Sequence, residues 1–242
     1  MLTPGNKKLG RHLIWAFALP SGDPGVCVGM SPTCRRECYA IRTEIYRRAA
    51  ARRYRLNLAL SRRRDFARRV RAFLTAHAIR VVRVHTGGDF YSAKYAGKWL
   101  TVMRRSRRTK FFFYSRSWRR PEIRAVLERM AHLRNCRVWW SADCDTGLPE
   151  NIPPRVRIAW LLTRADEIPP PGVHLVFRVR RLRNQPATML GAGICPAEDG
   201  VPRPHEVTCD RCQRCWRPLP SGRVPLPVID PTPHHPNSTE TR

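Results

Sequence analysis

The apolar positions of the chain fall into short blocks separated by charged or glycine- and proline-rich stretches. The first block, His12–Leu19 (HLIWAFAL), is a continuous apolar run of strand length and predicts a buried strand. A loop with Gly22, Pro24, Gly25, Gly29 and Pro32 follows, carrying Cys27, Cys34 and Cys38. Between Ile41 and Ala78 the spacing becomes helical. Ile41, Ile45, Ala49, Leu56 and Leu60 trace one apolar face, and Phe66, Val70, Phe73 and Leu74 another, so two helices are expected to meet near Ser61. Strand-length runs recur at Arg80–Val84, Lys110–Ser115, Arg137–Ala142, Arg157–Leu162 and Val173–Val179. Helical spacing fills Ala93–Arg105 and Pro121–Leu133, the latter with proline in its first turn. This alternation predicts an α/β fold with a parallel sheet and crossover helices, either an incomplete (β/α) barrel or an open sheet.

Past Arg183 the periodicity ends. Residues 1–185 are expected to form the α/β domain and 186–217 a cysteine-rich extension. Residues 218–242, rich in proline, are expected to be a disordered tail whose His234-His235 pair is incidental. Lys7, Lys8 and Arg11 ahead of Leu13–Pro20 imitate a signal peptide, but the apolar run is short and leads straight into the cysteine loop. No stretch approaches the about 20 apolar residues of a membrane span. Nine cysteines without a sign of secretion point to a reducing cytoplasm, where thiols are kept for metal rather than for disulfides.

Charge adds an expected partner. The 242 residues carry 46 lysines and arginines against 18 acids, a formal net charge of +28, and all but five of the bases are arginine. Genomic base composition accounts for arginine over lysine, but not for the excess of bases over acids. The guanidinium fork matches phosphate, so nucleic acid is the expected partner. Arg62, Arg63, Arg64, Arg68, Arg69 and Arg71 form the densest basic stretch and are expected to contact phosphates in a sequence-blind, salt-dependent way. A solvated helix face is the plainer alternative. Phe111, Phe112, Phe113, Tyr114, Trp139 and Trp140 offer stacking surfaces, yet they lie in predicted strands and are expected in the core.

The cysteines form two groups. Cys209-x2-Cys212-x2-Cys215 packs three thiols into seven residues, with Cys195-Pro196 upstream. A tetrahedral zinc ion draws ligands from different directions, usually from two separate turns, whereas an overlapping triple wraps a cluster that offers a corner to each thiolate. An iron–sulfur cluster is therefore expected here, with zinc as the alternative. The other group, Cys27-x6-Cys34-x3-Cys38, has three members and would leave one iron of a [4Fe–4S] cluster open. Cys136 or Cys144 is the alternative fourth ligand that would close it.

A cysteine triplet after the first strand, Tyr39 beside its last cysteine, and the Gly87-Gly88-Asp89 turn after the second strand resemble the radical S-adenosylmethionine (SAM) enzymes. The resemblance implies that Cys27, Cys34 and Cys38 hold a [4Fe–4S] cluster, that SAM chelates its open iron, and that Gly87, Gly88 and Asp89 meet the SAM amino group. It also implies an electron donor as partner. The triplet spacing, x6 then x3, differs from the superfamily's usual x3 then x2. From about Lys7 to Trp216 the layout also resembles a phage-associated family named after gene product 88, through the Cys-Tyr-Ala, Gly-Gly-Asp-Phe-Tyr and Tyr-Ser-Arg-Ser segments and the C-terminal cysteines. That family has no settled activity.

The expected fold is thus a partial (β/α) barrel of about six mostly parallel strands with a C-terminal cysteine-rich metal-binding extension. Strand ends gather at one mouth of such a barrel. They offer Arg116 as an anion holder, Asp143 and Cys144 as reactive groups, and His85 and Arg164 as further candidates. Salt bridging, turn formation and capping are the alternatives for each. The expected function is a radical-SAM-like iron–sulfur protein acting at nucleic acid. The alternative is a non-catalytic nucleic-acid-binding protein braced by zinc or iron–sulfur.

Overall fold

The structure, a computed structural model, describes residues 1–10, 13–183, 193–199 and 207–218. Arg11 and His12 at the head of the first predicted strand, most of 184–206, and the proline-rich stretch with His234-His235 lie outside the described residues.

Seven strands form one sheet in sequential order. They are β1 (Thr3–Pro4), β2 (Ile14–Phe17), β3 (Val81–Val84), β4 (Lys110–Ser115), β5 (Cys136–Asp143), β6 (Val156–Leu162) and β7 (Leu175–Arg178). β1 is antiparallel to β2, and β2 through β7 are parallel to their neighbours. The six expected strands are present. The seventh, β1, is a two-residue edge containing Pro4, which lacks an N–H to donate and so suits an edge.

Residues 41–78 differ from the expected pair of helices. They belong to α2 (Tyr39–Tyr46), α3 (Arg48–Arg62) and α4 (Phe66–Ala76), and a short α1 (Pro32–Arg36) precedes them. The extra break at Arg47, with φ −125° and ψ 81°, rotates α3 relative to α2. The predicted face of Ile41 to Leu60 is therefore not realised: Ile45 and Leu56 are 67% and 61% exposed, while Ala50, Asn57 and Ser61 are buried. The second face is realised, with Phe66, Val70 and Leu74 buried.

α4, α5 (Ala93–Arg105) and α6 (Pro121–Ala131) precede β3, β4 and β5. Successive residues of a strand point to opposite faces, so Val82, Val84, Phe111, Phe113, Val138 and Trp140 meet these helices in one core. Sequential parallel strands joined by crossovers of one hand gather their helices on one face in this way. At its centre Phe17, Phe66 and Trp99 pack edge to face with ring centroids 5.2 to 5.9 Å apart. Each such fully buried ring contributes about 2–3 kcal/mol. No helix among the described residues is long and apolar enough to cross a membrane.

The alternate residues, among them Val81, Phe112, Trp139 and Ala159, face the other way. Cys195, Cys209, Cys215 and Trp216 pack against them. Toward the carboxyl ends of the strands the same face opens into a cavity.

Candidate functional site

The cavity, about 670 Å³, is walled by the cysteine loop, α2 and the turn after β3, with Arg83, Tyr114, Ser141 and Phe177 from the strands as its floor. Cys27, Cys34 and Cys38 all line it, together with Gly87, Gly88, Asp89 and Arg116. Residues far apart in the chain thus meet because the sheet brings the carboxyl ends of β2, β3 and β4 side by side.

The cysteine loop is held by a specific set of contacts. Ser31 caps α1: its hydroxyl accepts from the Cys34 amide (2.9 Å) and donates to Asp143 Oδ2 (2.6 Å). The Thr33 amide donates to Asp145 Oδ2 at 2.7 Å. Arg119 and Arg120 donate to the Gly29 and Val28 carbonyls, both at 3.2 Å. Gly29 lies so close to the Arg116 carbonyl that a Cβ there would overlap it. The Tyr39 hydroxyl, at the start of α2, donates to the Thr86 carbonyl at 2.8 Å and ties the loop to the glycine turn.

Burial pushes the Cys27 thiol up to about 12, with the Asp89 carboxylate adding to the effect. Burial likewise raises Cys34, partly offset by Arg116. Cys27 feels both other cysteines of the triplet electrostatically, and Cys34 feels Cys38. Such a group ionises only if a cation arrives with the ligand. Cys136 sits in the helix-side core and Cys144 is exposed, its sulfur 3.8 Å from Thr33 Oγ1. Neither lines the cavity, so among the described residues three cysteines face it.

The turn after β3 is shaped by packing. Gly88 adopts φ +71°, and a Cβ there would press into Leu19, at the end of the strand beside it. Asp89 is buried and accepts from the Phe90 amide, Ser115 Oγ, and the Arg116 and Ser117 amides at 2.7 to 3.2 Å. These four donors occupy its oxygens, so it acts here by fixing the end of β4. Burial nonetheless raises its pKa. Arg116 is buried beside Asp143, Nη1 to Oδ2 2.8 Å, without that N–H being aimed at the oxygen, so the contact is a charge pair rather than a directed hydrogen bond. Asp143 and Asp145 therefore orient the cysteine loop and Arg116 rather than opening into the cavity. Arg164 is exposed, pairs with Asp166 and does not line the cavity. His85 is buried in the cavity wall with Nε2 2.9 Å from the Tyr95 hydroxyl.

The C-terminal cysteines gather on the same side of the sheet, nearer its amino edge. The Cys209 amide donates to the Lys8 carbonyl (2.8 Å), the Cys195 amide to Val176 (2.9 Å), and Trp139 Nε1 to the Cys215 carbonyl (2.9 Å). The Tyr114 hydroxyl is 2.7 Å from the Cys215 sulfur. Burial raises Cys195 and Cys209 and pushes Cys215 up to about 12. Cys195, Cys209 and Cys212 all act electrostatically on Cys215. Among the described residues no three histidine, cysteine or acidic side chains converge as the ligands of a single ion would.

The predicted arginine surface lies elsewhere. Arg62, Arg63, Arg64, Arg68 and Arg69 are exposed at the α3–α4 corner, and Arg71 is half-buried. Asp65 draws Arg63, Arg68 and Arg69 around itself at 2.7 to 3.6 Å, neutralising part of the corner.

Sequence reasoning missed Arg83, half-buried in the cavity floor with its guanidinium 5.4 Å from the Tyr114 ring centroid. Its signal was a lone charge inside the β-branched run of β3. Ser31 was also missed, although serine before Pro32 is a cap signature.

The sequence model described as gene product 88 matches residues 1–218. The gene 88 proteins of Mycobacterium phage L5 and Mycobacterium phage D29 are each 28% identical to the chain over 152 residues. The match covers 58% of this chain and 61% of each relative, so it spans less than two thirds of either phage protein. No solved structure matches. With the family model spanning nearly all of the α/β unit and the C-terminal cysteines, the chain belongs to the gene product 88 family.

Proposed function

We infer that the protein is an iron–sulfur protein whose cavity holds a [4Fe–4S] cluster on Cys27, Cys34 and Cys38, with SAM as the ligand of the open iron. The observation that carries this reading is the number of thiols at the cavity: three, with Cys136 and Cys144 both turned elsewhere. A structural site is closed by its protein ligands, whereas a reactive one keeps a position open. The sequential parallel order, read as a partial (β/α) barrel, is consistent with a site at the carboxyl ends of its strands, where the cavity lies.

The residues present suit this cofactor pair. Ser31, Asp143 and Asp145 fix the cysteine loop, and the Arg119 and Arg120 guanidiniums hold its carbonyls. Arg116 stands at the cavity wall as the cation nearest in role to a carboxylate partner. Gly87 and Gly88 line the cavity at the end of β3, with Ser21 and Leu19 packed where their side chains would be. Such a cluster, given one electron by a donor partner, would supply reductive cleavage of SAM to methionine and a carbon radical able to abstract hydrogen from a substrate.

For the second group we propose another cluster, on Cys195, Cys209, Cys212 and Cys215, with zinc as the alternative. Half-buried Arg83 and Arg157 act electrostatically on Cys215 or Cys209, and neither forms a carboxylate pair among the described residues. Cations beside these thiols favour an anionic group there, and a metal held by four thiolates is one. The full use of the Asp89 carboxylate by four donors favours a second reading, a metal-braced nucleic-acid-binding protein without turnover, because it leaves no free acid for an ammonium.

Anaerobic purification with iron, sulfide and zinc analysis, followed by EPR with and without SAM, separates the readings. About eight irons and eight sulfides per chain are expected for two [4Fe–4S] clusters, falling by half in a Cys27→Ala/Cys34→Ala/Cys38→Ala variant, with a cluster signal that changes on adding SAM. Zinc without sulfide overturns the iron–sulfur assignment, and a signal indifferent to SAM leaves the second reading standing.

A further inference from the structure

α2 carries an unusual stripe. Tyr39, Arg42, Thr43 and Tyr46 recur at i, i+3, i+4 and i+7, the spacing that in a globular helix packs into the core. Here all four line the cavity, and Tyr39 and Tyr46 are 51% and 83% exposed. Ile45 and Leu56 are exposed on the same pair of helices. Arg47, at the elbow between α2 and α3, joins the rim, and Arg180 lines the cavity as well.

The charge of this mouth is one-sided. Among the described residues eight lysines and arginines line the cavity against Glu37 and Asp89. Glu37 is already engaged by Arg181 at 3.0 Å and Arg36 at 3.5 Å, and Asp89 by its four donors. Glu44, next along α2, accepts from the Ser21 amide at 2.8 Å. No carboxylate pairs with Arg42 or Arg47 among the described residues.

We propose that this mouth is the entry site for a single-stranded nucleic acid, with a base stacked on Tyr46 and backbone phosphates held by Arg42 and Arg47. Exposed aromatic faces beside unpaired guanidiniums are the two parts from which a single-strand site is made. A duplex does not fit the same parts, because its bases are already stacked and an exposed tyrosine ring gains nothing from it. An acidic peptide would match the arginines but not the rings. The binding claim stands on the mouth alone. Only the idea that the bound nucleotide is the substrate rests on the cluster-and-SAM reading.

The test is fluorescence anisotropy of the full chain, purified anaerobically, with labelled 12-mers of dT and rU, titrated against salt. A blunt duplex and polyglutamate serve as competitors. Single strands should bind at least tenfold more tightly than duplex, and polyglutamate should compete poorly. Tyr46→Ala should weaken binding about tenfold without changing the salt dependence, since stacking is not ionic. Arg42→Ser/Arg47→Ser should reduce the slope of log K against log salt by about 1.4, two single-strand phosphate contacts. An Arg62→Ser/Arg64→Ser variant at the α3–α4 corner should keep most of the affinity. Tighter binding to duplex, equal competition by polyglutamate, or loss of binding confined to the corner variant overturns the proposal. If binding holds while the EPR signal ignores SAM, the cofactor reading has failed and the mouth has not. The reverse result removes the mouth alone.

Discussion

The two cysteine groups lie on the same side of one sheet but stand in opposite relations to it. Cys195, Cys209 and Cys215 are packed against strand residues, Trp139 above all, and their backbone is hydrogen-bonded to β7, to Trp139 and to the Lys8 segment. Cys27, Cys34 and Cys38 face open space, and their loop is held from behind by Ser31, Asp143, Asp145 and the arginines after β4. A group woven into packing stabilises the fold. A group with its support on one side and a cavity on the other is built to meet a ligand.

That contrast is most exposed by removing thiols. Cys215→Ser should cost on the order of 4 kcal/mol if the proposed cluster is bound, because it would remove a ligand together with a thiol packed beneath Tyr114 and Trp139. Cys38→Ser should cost about 1 kcal/mol or less, while abolishing the SAM-dependent signal. Urea unfolding of both variants is the measurement. Equal losses would mean that both groups are structural.

The support behind the open group can be broken separately. Asp143→Ala leaves Arg116 buried without its partner, which should cost about 3 kcal/mol. It also removes the acceptor for Ser31, so iron at the N-terminal site should fall while the C-terminal site keeps its metal. An Arg116→Met/Asp143→Leu double variant removes the stranded charge but leaves the Asp145 and Thr146 amides and the Ser31 hydroxyl without their acceptor, so it should recover part of the stability and not the iron. If it recovers both, the pair contributes charge balance and no positioning.

The smallest expected effect concerns the cavity wall. Burial pushes the His85 imidazole down to about 3, so the folded protein keeps it neutral while the unfolded chain protonates near 6.5. The unfolded state then binds the extra proton, and the stability present above pH 6.5 is lost as pH falls toward 3. At pH 5 the loss is about 2 kcal/mol. His85 sits at φ +62°, a backbone asparagine also tolerates, so His85→Asn should fold and show a shallower acid slope. Denaturant midpoints at pH 7, 6 and 5 test it. Identical slopes would place the acid sensitivity elsewhere.

Much of the architecture was legible because its physics is local. Short apolar runs in β4 and β5 read as strands, and Phe66, Val70 and Leu74 read as a helix face, since each pattern reports burial directly. The break at Arg47 was not legible. Nothing in an arginine-rich run marks one residue leaving the helix, so the predicted face through Ile45 and Leu56 missed the phase shift. Asp89 and Asp143 were legible as acids at strand ends but not as buried acceptors, because donors to them come from another strand end and from the cysteine loop.

By itself the amino-acid sequence determined the strand–helix alternation, the excess of arginine and the grouping of cysteines, all of them properties of neighbours in the chain. Tertiary structure alone decided that three thiols rather than four face the cavity, that the glycine turn and Arg116 join them, and that α2 turns two tyrosines toward its mouth. The reason is geometric. The carboxyl ends of β2, β3 and β4 are brought together by strand pairing across tens of residues, and which side of a loop a cysteine presents depends on partners that pairing supplies.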